Sequence, residues 1–301
     1  MLNVYEQIDR NKSRSALIVG LFAIFVSITV YVLGRAFGYG PSFVGFALIF
    51  SGLSSFAGYW YSDKIILGIS GARPANQEED RIFRQVAENV SLGAQIPLPK
   101  LYVIEDSAPN AFSTGRDINH AVVCVTTGLL EKLDRTELEG VIAHEVSHIR
   151  NYDMLLMSVV AVLVGTITLS ADWLLRFSWG RRSDEENRNQ AGALLFLLGL
   201  ILALLSPLIA QLIQLAISRR REFLADAGAA MITRQPSGLI SALRKIANDP
   251  EPLKTANKAT AHLFIANPLK EDKNFQGWLA NLFNTHPPIE ERIKALEAME
   301  G

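Results

Sequence analysis

Val141-Ile-Ala-His-Glu-Val-Ser-His-Ile-Arg-Asn-Tyr-Asp153 ends an amphipathic run and directly precedes a long uncharged stretch of this 301-residue chain. On a helix, His144 and His148 are one turn apart and offer both imidazoles on the same side. A tetrahedral zinc ion requires that of two ligands on one rigid element, and Glu145 stands where a carboxylate can take a proton from water. His-Glu-x-x-His arises by chance in roughly one in a hundred chains of this length. The pair therefore needs a third ligand before it decides anything.

The flanks of that stretch read as membrane. A mean hydropathy of +0.20 with 20% charged residues gathers the apolar residues into blocks. Four stretches, Ala16 to Leu33, Ser42 to Tyr61, Met154 to Ala171 and Ala191 to Ile217, suit a hydrocarbon core that takes about 20 apolar residues. The first is too long for the h-region of a cleavable leader and lacks a small-residue cleavage site, so it reads as a span. The first, second and fourth are apolar on every face, unlike core helices of a soluble protein. The third is softer, with Asp172 closing it. Arg10, Lys12 and Arg14 precede the first span and only Arg35 follows it, which puts the N-terminus and the chain from Asp63 onward in the cytoplasm. A net charge of -1 gives no pull toward nucleic acid. Cys124, the sole cysteine, provides no disulfide framework and reads as a small strand residue.

Between the spans lies aqueous structure. Glu78 to Ala94 has a helical pattern, and Lys100–Glu105, Asn110–Gly115 and Ala121–Val125 predict a sheet of about three strands. Thr126-Thr127 caps a short helix, and Asp134 with Glu137 forms a capping box for the helix that carries the histidines. After the fourth span, helices are expected at Ser218–Ala230, Ser237–Asn248, Thr255–Ile265, Phe275–Phe283 and Pro288–Met299. The expected fold is an α+β membrane protein, mainly α: four transmembrane helices and a zincin-like cytoplasmic domain whose small sheet lies beside the histidine helix. Its parts are a tail and hairpin (1–62), the first half of the cytoplasmic domain (63–153), a second transmembrane pair (154–217) and the second half of that domain (218–301).

Glu222, in Glu222-Phe-Leu-Ala-Asp226, is the expected third ligand, completing two imidazoles, one carboxylate and an open position. Asp226, one turn on, is placed to accept the second N–H of a ligand histidine. A solvated helix held by local Arg–Glu pairs is the competing reading, and the histidine motif outweighs it. Glu145 is the expected general base. His286 is either an oxyanion donor or a transient zinc ligand, or simply a turn residue before a Pro-Pro helix start; these readings stay open. His120 and His262 read as structural. Asn110, Ala111 and Phe112 lie in a strand that is either a plain edge or one that pairs with extended substrate.

These motifs together resemble the HtpX-type membrane zinc endopeptidases, heat-shock-associated bacterial proteases related to the CAAX prenyl proteases. The resemblance rests on His144-Glu-Val-Ser-His148 with Asn151, on Ser218-Arg-Arg-Arg-Glu-Phe-Leu-Ala-Asp226, on Asn110-Ala-Phe-Ser-Thr-Gly115, and on Thr285-His-Pro-Pro288 followed by Arg292-Ile293. It covers nearly the whole chain; Phe223, where many members have tyrosine, is a mild departure. It implies one Zn2+ per chain and Asn151 and Arg219 behind the ligands. It also implies a multi-pass protein of the bacterial inner membrane with its active site facing the cytoplasm, acting on misfolded membrane proteins. A homo-oligomer is left open.

A prenyl-protein protease shares the chemistry, but those enzymes have more spans. A silent scaffold would tolerate loss of a ligand or the base, and none is missing. A site-2 type protease would bury its motif within a span, whereas Arg135, Glu137, Glu139 and Arg150 surround this one. A transporter would carry ionisable groups inside its spans, and these have none. His148 lies six residues before the third span and Glu222 five after the fourth, so both spans must leave and return on one side. At about 1.5 Å per helical residue the metal then sits within roughly 10 Å of the bilayer.

Overall fold

The computed structural model describes residues 4–36, 40, 43–163, 166, 219–253, 260, 263–266 and 287–300. The fourth expected span, the end of the third, most of the Thr255–Ile265 helix, the Phe275–Phe283 helix, His262 and His286 lie outside the described residues.

Two apolar helices, α1 (Val4–Ala36) and α2 (Phe43–Trp60), pack against each other. Within α1, Ile8–Tyr31 is the one helical stretch among the described residues long and apolar enough to cross a membrane; Val44–Trp60 and Asp153–Leu163 are shorter apolar helices. Both helices of the pair turn large apolar side chains outward. Leu17, Leu21, Ile24 and Ile28 on α1 are 52–63% exposed, and Phe46, Ile49, Leu53 and Phe56 on α2 are 55–67% exposed. The inner face of α2 is smaller and more polar: Ala47, Ser51 and Ser55 are buried, and the Ser51 hydroxyl donates to the Ala23 carbonyl. Small residues of this kind let two apolar helices approach closely.

A short helix, α3 (Ser62–Ile69), leads into the sheet, whose strands are β1 (Arg73–Pro74), β2 (Lys100–Ile104), β3 (Ala111–Thr114) and β4 (Val122–Thr126) in the order β1-β2-β4-β3. β2 and β4 are parallel, with Tyr102 opposite Cys124; β1 is antiparallel to β2, and β3 to β4. The sheet thus has four strands where about three were expected. The extra strand, β1, is two residues long and contains a proline at the sheet edge, so no alternating pattern announces it. Gly115 closes β3 at φ +140, where a Cβ would stand 2.5 Å from the His120 carbonyl oxygen, so only glycine fits.

α4 (Arg81–Ala94) backs the sheet, and α5 (Thr127–Lys132) follows β4, capped by the Thr126 hydroxyl. α6 (Arg135–Arg150) begins with the expected capping box: the Asp134 carboxylate accepts from the Glu137 N–H at 2.9 Å, and Glu137 accepts from the Asp134 N–H at 2.8 Å. Twelve of its sixteen residues are buried, including Glu137, His144, Glu145 and His148. The run that reads as amphipathic in sequence is thus enclosed along most of its length. It touches α4, β3, β4 and two later helices, α8 (Arg219–Thr233) and α9 (Pro236–Asn248). Between α6 and α8 comes α7 (Asp153–Leu163). The last described helix, α10 (Ile289–Glu297), packs on α8 and α9.

The core centres on α6. Val141, Ile142, Val146 and Ile149 meet Phe83 and Val86 of α4, Val123 and Val125 of β4, and Leu239 and Leu243 of α9. Each such side chain contributes about 1.5–3 kcal/mol relative to exposure. Glycines bring the helices together: a Cβ on Gly140 would lie 2.6 Å from the Leu239 nitrogen, and one on Gly228 would lie 2.5 Å from the Ser147 hydroxyl. Helix α6 is therefore fixed from both flanks, which is what a site built on it needs.

Candidate metal centre

His144 and His148 project from one face of α6 with their rings perpendicular and their Nε2 atoms 3.2 Å apart. Glu222, in the first turn of α8, completes the group: its Oε1 is 3.5 Å from His148 Nε2 and its Oε2 is 3.7 Å from His144 Nε2. All three side chains are buried. Bonds of about 2.0–2.1 Å to a tetrahedral zinc imply ligand–ligand separations of roughly 3.3–3.4 Å, close to the three found here. The donor set fits the ion by chemistry as well as by spacing: two neutral imidazole nitrogens and one carboxylate oxygen.

Each imidazole is held from behind by a carboxylate. Asp226 Oδ1 is 2.9 Å from His144 Nδ1, as its place one turn after Glu222 predicted. Asp153 Oδ2 is 3.2 Å from His148 Nδ1. Carboxylates on both Nδ1 atoms favour protons there and turn both Nε2 lone pairs toward the shared space. Burial pulls the His148 pKa down, but the Asp153 hydrogen bond and the charges of Glu222, Asp153 and Glu145 outweigh it, and it is pushed up to about 9.

Behind Asp226 stands Arg292 from α10, fully buried. Its Nε donates to Asp226 Oδ2 at 2.9 Å, its Nη2 to Oδ1 at 2.7 Å, and its Nη1 to the Ile265 carbonyl at 3.0 Å. Nη1 also lies 3.6 Å from Glu222 Oε2. Burial raises the Asp226 pKa, but the Arg292 charge and hydrogen bonds more than reverse this and hold its carboxyl below the usual range.

Other expected residues are placed differently. Glu145 is buried at 1% exposure, next to His144 on α6. Asn151 caps the C-terminus of α6, and its carbonyl accepts from the Asn11 side chain at 3.0 Å. Arg219 is exposed at the start of α8; it is Arg221, two residues on, that is buried, with Nε 3.6 Å from Asp153 Oδ1. His120 is half-buried, with Nδ1 2.7 Å from Asp117 Oδ1. Cys124 is fully buried in β4, its thiol pushed up by burial and by the Glu145 charge.

Asn110, Ala111 and Phe112 are buried at the β3 edge beside α6. The Ala111 carbonyl accepts from the Ile265 N–H at 2.9 Å, the Asn110 amide donates to the Ala266 carbonyl at 3.2 Å, and Phe112 meets Phe264 edge-on at 5.1 Å. The chain's own residues 263–266 thus take the outward carbonyl of Ala111. The pleat turns Ser113 to the same edge.

Asp153, Arg292 and Asn11 were not assigned to the site from sequence. Asp153 had a visible signal, a carboxylate five residues after His148 and inside the stretch quoted above. Arg292 entered only as part of a motif-like pair, and Asn11 had no signal.

A buried His-His-Glu donor set shared by two helices suits a metallopeptidase. The profile described as Peptidase family M48 matches residues 76–300, and the chain belongs to that family. It is 46% identical over 300 residues to "Protease HtpX homolog" of Caldanaerobacter subterraneus subsp. tengcongensis, covering 98% of each chain. It is 45% identical over 296 residues to the protein of that name from Dictyoglomus thermophilum, covering 98% of this chain and 94% of that one. Among solved structures, Ste24p from S. mikatae matches with a TM-score of 0.50 and 16% identity over 96% of this chain; the chain spans 66% of the length of that protein. That likeness concerns the fold.

Proposed function

We propose that this protein is an integral membrane zinc endopeptidase whose metal is held by His144, His148 and Glu222, one ion per chain. The observation that carries this reading is the triangle of donor atoms, 3.2–3.7 Å on a side, with both imidazoles oriented by buried carboxylates. Zinc held there supplies a water of pKa lowered toward about 7 and polarises a carbonyl. Glu145 takes the proton from the attacking water and passes it to the leaving amine. Asp226 and Asp153 keep the imidazoles in register, and Arg292 keeps Asp226 ionised. His286 is assigned the oxyanion or a resting-state role. An extended substrate pairs with the β3 strand at Asn110, Ala111 and Phe112, which requires residues 263–266 to yield that edge or to direct the pairing onward to Ser113.

The outward apolar faces of α1 and α2 support membrane insertion, since water-exposed stripes of this size are unfavourable. We assign four spans, with residues 63–153 and 218–301 forming one cytoplasmic domain at the inner face of the bacterial inner membrane. α7 begins at Asp153, five residues from a ligand histidine, which supports a site at the bilayer surface. Such a site suits chains slipping out of the bilayer, and a role in removing misfolded membrane proteins follows.

The test is cleavage of casein, or of itself, by the purified protein in detergent with zinc. Glu145→Gln retains zinc and loses proteolysis. Undiminished cleavage by that variant overturns the mechanism.

A further inference from the structure

The first membrane helix reaches into the metal centre through one amide. Asn11, 5% exposed on the inner face of α1, donates from Nδ2 to Asp153 Oδ1 at 2.8 Å and to the Asn151 carbonyl at 3.0 Å. Asp153 uses its other oxygen on His148 Nδ1. One side chain, 142 residues away in sequence, thus lies one carboxylate removed from a ligand histidine and ties together both ends of the Asn151-Tyr152-Asp153 turn.

That turn needs holding. Tyr152 sits at φ +59, a left-handed conformation that costs a bulky residue about 1 kcal/mol or more. It is what reverses the chain between the end of α6 and the start of α7 and so brings Asp153 back to His148. Lys12, the neighbour of Asn11, places its ammonium 4.3 Å from the centre of the Tyr152 ring. Ser15, one turn on, donates to the Asn11 carbonyl at 2.8 Å, and Ile18 and Phe22 continue the buried face of α1. Arg221 approaches the same Asp153 oxygen from α8 at 3.6 Å, a longer contact than that of the amide.

We propose that Asn11 is a positioning residue for the metal centre: its side-chain amide sets the Asp153 carboxylate that orients His148. This rests on the reading of His144, His148 and Glu222 as a zinc site. Groups that orient ligand histidines typically govern metal affinity by about 10–100-fold, and a residue one step further back belongs at the lower end. It also ties the centre to the helix with which the chain would meet the bilayer.

The experiment uses the full chain in detergent, with Glu145→Gln present throughout to prevent self-cleavage. It reads zinc affinity by competition with a chromophoric chelator, the d–d bands of the Co2+-substituted protein, and the melting temperature of the metal-free form. Asn11→Leu weakens zinc about tenfold and alters the Co2+ bands, and Asn11→Gln, which keeps the amide donor, recovers part of both. Asn11→Ala carries the same expectation should the leucine variant fail to fold. Ile18→Ala, which loosens α1 but keeps the amide, lowers the melting temperature and leaves zinc affinity alone. Parent affinity and parent Co2+ bands in Asn11→Leu overturn the inference, as does equal weakening in Ile18→Ala. If the parent protein itself binds no zinc, the underlying metal reading is what fails.

Discussion

The Arg292 guanidinium grips both oxygens of Asp226, at 2.9 and 2.7 Å, and the same carboxylate holds His144. Both partners are fully enclosed. Removing one leaves an uncompensated charge in the core, a change that costs about 3–5 kcal/mol, whereas replacing both with apolar residues costs far less. Asp226→Leu and Arg292→Leu should each lower the melting temperature strongly, and the double variant should recover a large part of the loss. Additive losses would show that the pair is not a coupled unit.

In the proposed centre α8 contributes one ligand, Glu222. Glu222→Ala should abolish stoichiometric zinc, because two imidazoles on one helix leave half of a tetrahedral shell to water. Metal analysis after gel filtration decides this; a value near one ion per chain rules out the assignment.

Gly228 lets α8 lie against α6 beside the site. A methyl group there meets the Ser147 Oγ at 2.5 Å and its Cβ at 3.0 Å, so Gly228→Ala should force the helices apart and cost about 1–3 kcal/mol. Zinc affinity should fall along with stability, because Glu222 lies less than two turns away on the same helix. Adding Ser147→Gly should relieve both defects. A Gly228→Ala protein of parent stability would mean that the helix pair tolerates the separation.

Glu137 ties the start of α6 to α9, accepting from Lys245 Nζ at 2.7 Å and from the Ser241 hydroxyl at 2.6 Å. Burial raises its pKa, but these hydrogen bonds, that from the Asp134 N–H and the Lys245 charge outweigh it and hold the carboxyl below its usual value. Its stabilisation is then complete above the unfolded pKa of about 4.3 and is lost as pH falls through the lower folded value. Glu137→Gln should be less stable than the parent at pH 7, by about 1 kcal/mol, and should approach it in acid. Thermal melts at several pH values check this; a difference that does not depend on pH would contradict it.

Much of the scaffold was legible because its signals are short-range. The Asp134/Glu137 capping box, the Thr126 cap and the 3.6-residue rhythm of α4 and α9 are written within a few residues each, and the helices they predicted are present within a few residues of their expected bounds. β1 was missed because two residues carry no alternation. α6 reads as amphipathic in sequence, yet its polar residues Glu137, His144, Glu145 and His148 are buried and not solvated. Arg219 is exposed while Arg221 is buried, because which of three consecutive arginines turns inward depends on how α8 packs.

By itself the sequence determined the proposed ligand pair and its partner. His144 and His148 share a helix face by periodicity alone, and Glu222 and Asp226 keep their one-turn relation for the same reason. Tertiary structure decided what surrounds them: Asp153 folded back by a left-handed turn, Arg292 delivered from the last described helix, and Asn11 from the first. The latter two contacts join residues 66 and 142 positions apart. No local pattern encodes such pairs, because their geometry follows from how the helices pack and not from the spacing of residues along any one of them.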